Sequence, residues 1–310
     1  IVAAAAVAVA ALANVVRWPD PYWTRYEAGA DAWVARLEER IGSTLTFFDY
    51  HPYSFPVAVS GRHRVLGLGE QSARRMPEVM AWVGARAREE EVLVATAYRN
   101  PGIEDGLVLR GLGSVSADVA RVRSRAALPA VAYRRAVSVE FLAADPVTAA
   151  NPARRADKVL DGGPLGLRGP WHREALTLRD AAGEDVPAMW SRQGAGVIGP
   201  WPAPGEWVRI SVRGHAGHRD PAEAQRLRVN APWGAFSAAL EFSNSYEAAS
   251  VYLPAPAQGA ANGTGLYRLF AENPYDPRSE GIRGYPDDLG ALIHEVVVEV
   301  VPAPGSIGQP

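Results

Sequence analysis

The chain has 310 residues, of which 48% are hydrophobic and 21% are charged, and its formal net charge is −2. This length is enough for two domains. A net charge so close to zero argues against a nucleic-acid-binding surface. Cysteine is absent, which excludes disulfides, zinc–thiolate sites and thiol nucleophiles. Lysine occurs only once, at Lys158, so arginine supplies nearly all of the positive charge.

The first segment, residues 1–16, is uncharged and consists mainly of alanine and valine. As a helix it would cover about 24 Å of a hydrocarbon core that is about 30 Å thick. Arg17, Trp18, Tyr22 and Trp23 follow, and aromatic residues beside an arginine are typical of a membrane interface. We therefore predict the end of a transmembrane helix that begins upstream of this chain. A trimmed signal peptide, cleaved after an Ala-x-Ala sequence, and a buried alanine-rich helix are the two alternatives.

Residues 17–43 are predicted to form an interfacial segment with an amphipathic helix from Arg25 to Ile41. Its apolar stripe consists of residues spaced three and four apart, namely Tyr26, Ala30, Trp33, Leu37 and Ile41. Residues 44–144 contain short apolar runs typical of strands and one helical stripe that begins at Pro77. This pattern predicts a small mixed α/β domain.

The remaining chain divides at a stretch rich in helix-breaking and strand-breaking residues. Residues 145–170 contain four prolines and four glycines, which predicts a linker with few contacts. Residues 171–301 contain short strands and turns without a helical period, which predicts an antiparallel, jelly-roll-like β-sandwich. Residues 302–310 form a tail. The fold class predicted for the whole chain is therefore α+β and multidomain.

Two kinds of side chain in the predicted sandwich suit a glycan. Exposed tryptophan rings stack on the CH faces of sugars, and carboxylates accept hydrogen bonds from sugar hydroxyls. The candidates of these two kinds are Trp190, Trp201, Trp207, Trp233, Asp287 and Asp288. The alternative is that the tryptophans fill the core and that the aspartates form turns and exposed ion pairs. No spacing predicts a catalytic set, a metal site or a cofactor site.

Four short motifs, in this order, resemble a known ending of bacterial membrane proteins. They are Gly169-Pro170-Trp171-His172-Arg173-Glu174, Met189-Trp190-Ser191, Val229-Asn230 and Asp287-Asp288-Leu289-Gly290. Together they are similar to the extracytoplasmic C-terminal β-sandwich of polytopic membrane glycosyltransferases of the GT-C class, which use lipid-phosphate sugars. The second and fourth motifs lack the arginine of that class, and the third has alanine in place of glycine.

The resemblance implies a location at the cell membrane, with the soluble part outside the cytoplasm. It also implies that the catalytic carboxylate lies in an upstream membrane region, so no catalytic residue is assigned here. The expected partners are the membrane, that upstream region, and an envelope glycan or lipid-linked sugar. The first hypothesis is therefore an accessory, glycan-contacting part of such a transferase in envelope glycan assembly. The alternatives are a membrane-tethered carbohydrate-binding module and a purely structural envelope domain.

Overall fold

The computed structural model describes residues 22–26, 44–48, 64–67, 76–96, 102–123, 131–163, 165–216, 224–258, 263–282 and 284–303. The predicted transmembrane segment, residues 1–16, lies outside these ranges, as do most of residues 17–43 and most of the tail. Within the described ranges, no helix is both long enough and apolar enough to cross a membrane. The described chain forms three β-sheets, one α-helix and one short 3-10 helix.

The N-terminal unit is a mixed seven-stranded sheet. Its strands are β1 (Tyr22–Tyr26), β2 (Thr44–Phe48), β3 (Arg64–Gly67), β4 (Val92–Thr96), β5 (Gly102–Glu104), β6 (Leu107–Arg123) and β7 (Val131–Pro146). The order is β1-β6-β7-β4-β2-β3, with β5 paired to β6. Strand β2 is parallel to β3 and β4, and the other pairs are antiparallel. Helix α1 (Met76–Arg86) buries Met76, Met80 and Val83 in a core shared with β4, β6 and β7.

Strand β1 differs from the prediction at its position. Residues Arg25 and Tyr26 are the first two residues of the predicted helix, but they end a strand that pairs with residues 117–121 of β6. The strand reads Tyr-Trp-Thr-Arg-Tyr, and aromatic and β-branched residues favour strands. A long neighbouring strand therefore outweighs the helical spacing in this segment. The remainder of the predicted helix, after Tyr26, lies outside the described residues.

The C-terminal unit is the predicted β-sandwich, and every strand pair in it is antiparallel. Its strands are β8 (Arg155–Val159), β9 (Leu167–Arg168), β10 (His172–Arg179), β11 (Asp185–Arg192), β12 (Ala195–Pro200), β13 (Trp207–His215), β14 (Gln225–Asn230), β15 (Leu240–Phe242), β16 (Glu247–Pro254), β17 (Thr264–Ala271) and β18 (Leu289–Val301). One sheet has the order β10-β11-β18-β13-β16, with β8 also on β18. The other has the order β15-β14-β17-β12-β9.

The core of the sandwich lies between these two sheets. Strand β13 alternates buried Val208, Ile210 and Val212 with more exposed residues, as expected for a strand with one face in a core. Opposite it, Tyr267 and Leu269 of β17 are almost completely buried. Burying each aliphatic side chain of this size contributes about 1.5–3 kcal/mol. The alternating pattern of the C-terminal unit therefore both predicts its strands and explains how the two sheets adhere.

Residues 145–170, predicted to be a linker with few contacts, contribute two strands to the sandwich. Strand β8 pairs with Glu295–Glu299 of β18, and β9 pairs with Gly196 and Val197 of β12. The prolines and glycines stand outside these short strands, so they interrupt the segment without preventing pairing. Leu160 and Leu167 are buried in the main core of the sandwich.

The same segment also joins the sandwich to the N-terminal unit. Ile103 of β5 packs with Ala153, Ala156 and Ile198 in a small buried cluster. The backbone N–H of Gly106 donates to Oγ1 of Thr264 at 2.9 Å. Lys158, which is only 5% exposed, lines a small cavity of about 10 Å³ at this junction. Burial lowers the pKa of its amine below the ordinary value.

Candidate functional site

The structure places the six predicted glycan-contact residues in four separate regions of the sandwich. Trp190 is 7% exposed and belongs to a small buried cluster that includes Leu292. Its ring centroid lies 6.1 Å from that of Tyr275. Trp190 is therefore packed inside the protein, in agreement with the alternative that the tryptophans fill the core.

Trp201 and Trp233 are brought together at one end of the core. Their ring centroids are 5.4 Å apart in an edge-to-face arrangement, and Trp233 makes a similar contact with Tyr267 at 5.9 Å. A Cβ atom added at Gly265 would lie 2.9 Å from the ring of Trp201, so this position needs glycine for the rings to fit. The pair therefore closes the end of the core, and sugar stacking by these two rings stays a prediction.

Trp207 lies on the outer face of the six-stranded sheet, beside the 47% exposed ring of Tyr252. The polar groups of this face bind one another. Glu299 accepts from both Arg209 and Arg155, and the hydroxyl groups of Ser211 and Ser250 lie 2.7 Å apart. This face presents an aromatic ring, but its hydrogen-bonding groups are already engaged.

Asp287 and Asp288 are engaged in ion pairs near the 3-10 helix Pro277–Glu280. An oxygen of Asp287 lies 2.7 Å from Nη2 of Arg278, and Nε of Arg192 donates to Asp288 at 2.7 Å. Both contacts match the alternative interpretation of these residues as partners in ion pairs. In the described part of the chain, no three His, Cys, Asp or Glu side chains are grouped so that they could hold a metal ion.

The outer face of the five-stranded sheet carries a different arrangement, which we call the Phe–Arg face and define as Asn230, Phe236, Arg268 and Phe270. Phe236 is 56% exposed, an unusual value for so large an apolar ring. Its centroid lies 6.2 Å from that of Phe270, with an angle of 54° between the ring planes. The two rings therefore form a small aromatic surface that is open to solvent.

Strand alternation and one turn explain why these four side chains meet. In β14 and β17 the apolar residues Val229 and Leu269 point into the core, so their neighbours Asn230, Arg268 and Phe270 point outward. The register pairs Asn230 with Arg268. The chain then turns at Gly234, whose φ of 86° favours glycine, and returns so that Phe236 forms a backbone bridge with Asn230.

The electrostatics of the Phe–Arg face are unusual for this surface. The neighbouring Arg228 is paired with Glu272, whereas no carboxylate in the described structure lies within ion-pairing distance of Arg268. The hydrogen bond found for Arg268 is a long one, 3.5 Å, from Nη1 to the carbonyl oxygen of Gly194. The side-chain oxygen of Asn230 is buried and has no hydrogen-bond partner among the described residues, so a ligand on this surface cannot reach it. The face thus combines exposed aromatic carbon with a guanidinium that has no carboxylate partner in the described structure.

The N-terminal unit limits the extent of this face. Ile198 and Leu266, on the adjoining part of the same sheet, are covered by Ile103 and its neighbours. Beside them, Arg168 of β9 forms ion pairs with Glu104 at 2.6 Å and with Asp105 at 3.0 Å. The exposed surface therefore begins at Arg268 and extends toward β14.

The Phe–Arg face is not among the predicted glycan contacts, which are tryptophans and acidic residues. A signal was nevertheless present in the strand pattern. In β17 the core positions are Tyr267, Leu269 and Ala271, so Phe270 falls out of phase with them and is expected on the outer surface. Phe236 has no such signal, because it follows a turn and forms an isolated bridge outside any strand.

Comparisons with known proteins identify no family for the chain. No family model matches it, and no curated protein matches it. Among solved structures, the chain is similar to the CBM22-1 xylan-binding domain of Xyn10C from Paenibacillus barcinonensis, with 13% identity and a TM-score of 0.32. That match covers 49% of this chain and 98% of the other.

Two further similarities are of the same kind. The C-terminal CBM6 of a laminarinase from Zobellia galactanivorans is 10% identical, with a TM-score of 0.27, 47% of this chain covered and 98% of the other. A family 35 carbohydrate-binding module from Clostridium thermocellum is 12% identical, with a TM-score of 0.26 and coverage of 46% and 97%. Similarities of this size establish neither a family nor a shared ligand.

Proposed function

We propose that the sandwich is a glycan-binding domain and that its ligand lies on the Phe–Arg face. The observation that carries this proposal is the exposed Phe236–Phe270 pair beside Arg268, which is exposed and has no carboxylate partner among the described residues. The ring of a sugar has apolar CH faces that stack on aromatic carbon, and hydroxyl groups that bond to amide and guanidinium groups. The Phe–Arg face offers both kinds of group within one small area.

A ligand site is expected to leave polar groups available when no ligand is bound, and this distinguishes the two sheet faces. On the face of Trp207 and Tyr252, the charged and hydroxyl groups form hydrogen bonds with one another. A glycan would have to break these bonds before it formed its own, which reduces the net gain. On the Phe–Arg face, the guanidinium of Arg268 can bind a ligand without the loss of an ion pair.

The expected affinity is low because the surface is small. Aromatic stacking contributes about 0.5–1.5 kcal/mol for each ring, and a neutral hydrogen bond contributes about as much. These contributions sum to at most about 5 kcal/mol before the cost of association is subtracted, so a Kd of about 1 mM or weaker is expected. Affinity for one sugar unit would therefore be weak, and a polymer would bind through several contacts or through several copies.

The test is affinity electrophoresis of the chain in gels that contain soluble neutral or acidic polysaccharides. Phe236→Ala is expected to abolish the retardation by a polysaccharide that slows the wild-type chain. Tyr252→Ala is the matched control, because it removes an exposed ring of similar size from the other sheet. Loss of binding in Tyr252→Ala but not in Phe236→Ala would show that the ligand binds the six-stranded sheet, and would contradict a site on the Phe–Arg face. No retardation by any polysaccharide would contradict glycan binding itself.

We also propose the cellular setting that the sequence suggests, in which this domain is tethered to a membrane outside the cytoplasm. The apolar residues 1–16 and the adjacent Arg17 and Trp18 support a membrane segment. The motif resemblance supports, as the finer proposal, an accessory part of a GT-C-like glycosyltransferase. Alkaline phosphatase fused after Pro310 is expected to be active in cells, and a fluorescent protein that matures only in the cytoplasm is expected to be dark. The reverse pair of results would contradict the setting.

A further inference from the structure

We infer that the glycan bound by the Phe–Arg face is acidic, and that a carboxylate of a uronic acid unit pairs with Arg268. This inference rests on the proposed function and adds the chemical class of the ligand.

The charge balance singles out Arg268. In residues 147–303, eleven arginines have described side chains, and ten of them lie within 4.0 Å of a carboxylate oxygen. The ten are Arg154, Arg155, Arg168, Arg179, Arg192, Arg209, Arg213, Arg226, Arg228 and Arg278. Arg268 is the exception among these eleven. A ligand with its own carboxylate would supply the missing partner.

The nearest acidic side chains on this sheet are already occupied. Glu272 is bonded to Arg228, which lies opposite Phe270 in the strand register. On the other side, Glu104 and Asp105 are held by Arg168, and Gly196 separates Arg168 from Arg268 in the same row of the sheet. These pairs keep the acidic groups away from Arg268, so the positive charge of its guanidinium is available to an anion.

The position of Arg268 suits an anion on a sugar ring. Arg268 and Phe270 are two residues apart on one strand, so their side chains leave the same face about 6.5–7 Å apart. A sugar unit stacked on Phe270 and Phe236 can therefore place its carboxylate at the guanidinium. Arginine binds carboxylates through two parallel hydrogen bonds, and bonds between two charged groups are about twice as strong as neutral ones.

The experiment compares acidic oligosaccharides with their methyl esters, which have the same sugar units without the charge. Oligomers of galacturonate and of mannuronate, each with its methyl ester, would be titrated calorimetrically into the chain at low salt. At least one acid form is expected to bind tenfold or more tightly than its ester. Arg268→Gln should remove this preference, whereas Phe236→Ala should weaken the binding of acid and ester alike.

Arg226→Gln is the matched control, because Arg226 is exposed on the same sheet but is paired with Glu241 at 2.8 Å. An equal effect of Arg226→Gln and Arg268→Gln would overturn the inference, because it would show general attraction to a basic surface. Equal binding of acid and ester that is lost in Phe236→Ala would also overturn it, but would leave glycan binding intact. If no acid, ester or neutral polysaccharide binds, both the inference and the proposed function are wrong.

Discussion

The ion pair between Arg168 and Glu104 offers a sharp test of how the two units are joined. Glu104 is 0% exposed and accepts hydrogen bonds from Arg168 and from the backbone N–H of Gly166. Arg168→Met keeps the length of the side chain but removes the cation. The variant then holds a buried carboxylate with one remaining donor, and an uncompensated buried charge is among the most destabilising changes known.

The expected cost is about 3–5 kcal/mol at neutral pH, the range measured when one partner of a buried ion pair is removed. The value should lie near the lower end, because Gly166 still donates to the carboxylate. For a chain of 310 residues, 3 kcal/mol lowers the melting temperature by about 5 °C. The measurement is urea-induced unfolding followed by tryptophan fluorescence, with the midpoint and slope fitted together.

The pH dependence gives a second and independent reading. Burial raises the pKa of Glu104 above its ordinary value, even with Arg168 present. A raised pKa means that this carboxyl contributes stability at low pH, which is lost as the pH rises through the pKa of the folded state. Without Arg168 the pKa should rise further, so the cost of Arg168→Met should shrink toward pH 5. Adding Glu104→Gln to the variant should recover part of the loss at pH 7.

Arg154→Met is the control, because Arg154 forms an exposed ion pair with Glu206 at 2.8 Å. Such pairs contribute about 0–1 kcal/mol. A cost of Arg168→Met no larger than that of Arg154→Met, or an equal cost at pH 5 and pH 7, would show that Arg168 does not stabilise the buried carboxylate of Glu104.

Three further predictions concern stability. Burial lowers the pKa of Lys158, so the free energy of unfolding of the wild-type chain should rise from pH 7 toward about pH 10.4, the ordinary pKa of lysine. Lys158→Met should have a higher free energy of unfolding than the wild-type chain at pH 7. The variant should also lack the rise with pH, as measured by urea titration. Tyr267→Phe should cost about 1–2 kcal/mol in the same assay, because the hydroxyl of Tyr267 donates to a buried carbonyl oxygen at 2.5 Å. Residues 147–303 should unfold at a higher temperature than residues 171–303 by circular dichroism, since only the longer chain contains β8 and β9; equal values would contradict their role.

Local patterns in the sequence were sufficient to predict the sandwich, because alternation within a strand does not depend on its partner. The run from Val296 to Val300 and the run from Trp207 to Val212 both show it. The pairing partners of each strand could not be predicted in this way, because they depend on residues distant in the chain. Strand β8 pairs with β18, which lies more than one hundred residues later in the chain, and the sequence around Arg155 does not predict this pairing.

In the candidate site, too, local sequence predicts some features, whereas others depend on distant residues. The outward direction of Phe270 follows from its strand, but the open position of Phe236 depends on a turn that packs against that strand. Whether Arg268 has a carboxylate partner is decided by β12, β14 and the loops around them, and no single stretch of sequence contains this information. Large aromatic rings are usually buried in cores or packed at the ends of cores. Trp190 and Trp201 both behave in this way.

Because Lys158 is the only lysine in the sequence, its acylation can report how often the junction between the two units opens. Lys158 is almost inaccessible at the junction of the two units, and its strand is held against β18. A reagent that acylates amines can reach it only when this junction loosens, and local opening of this kind has its own free energy below that of global unfolding. The rate at which one acyl group is added to Lys158, followed by mass spectrometry, would therefore time the separation of the units in the unmodified protein. If a glycan stiffens the junction, this rate will fall when the glycan is present.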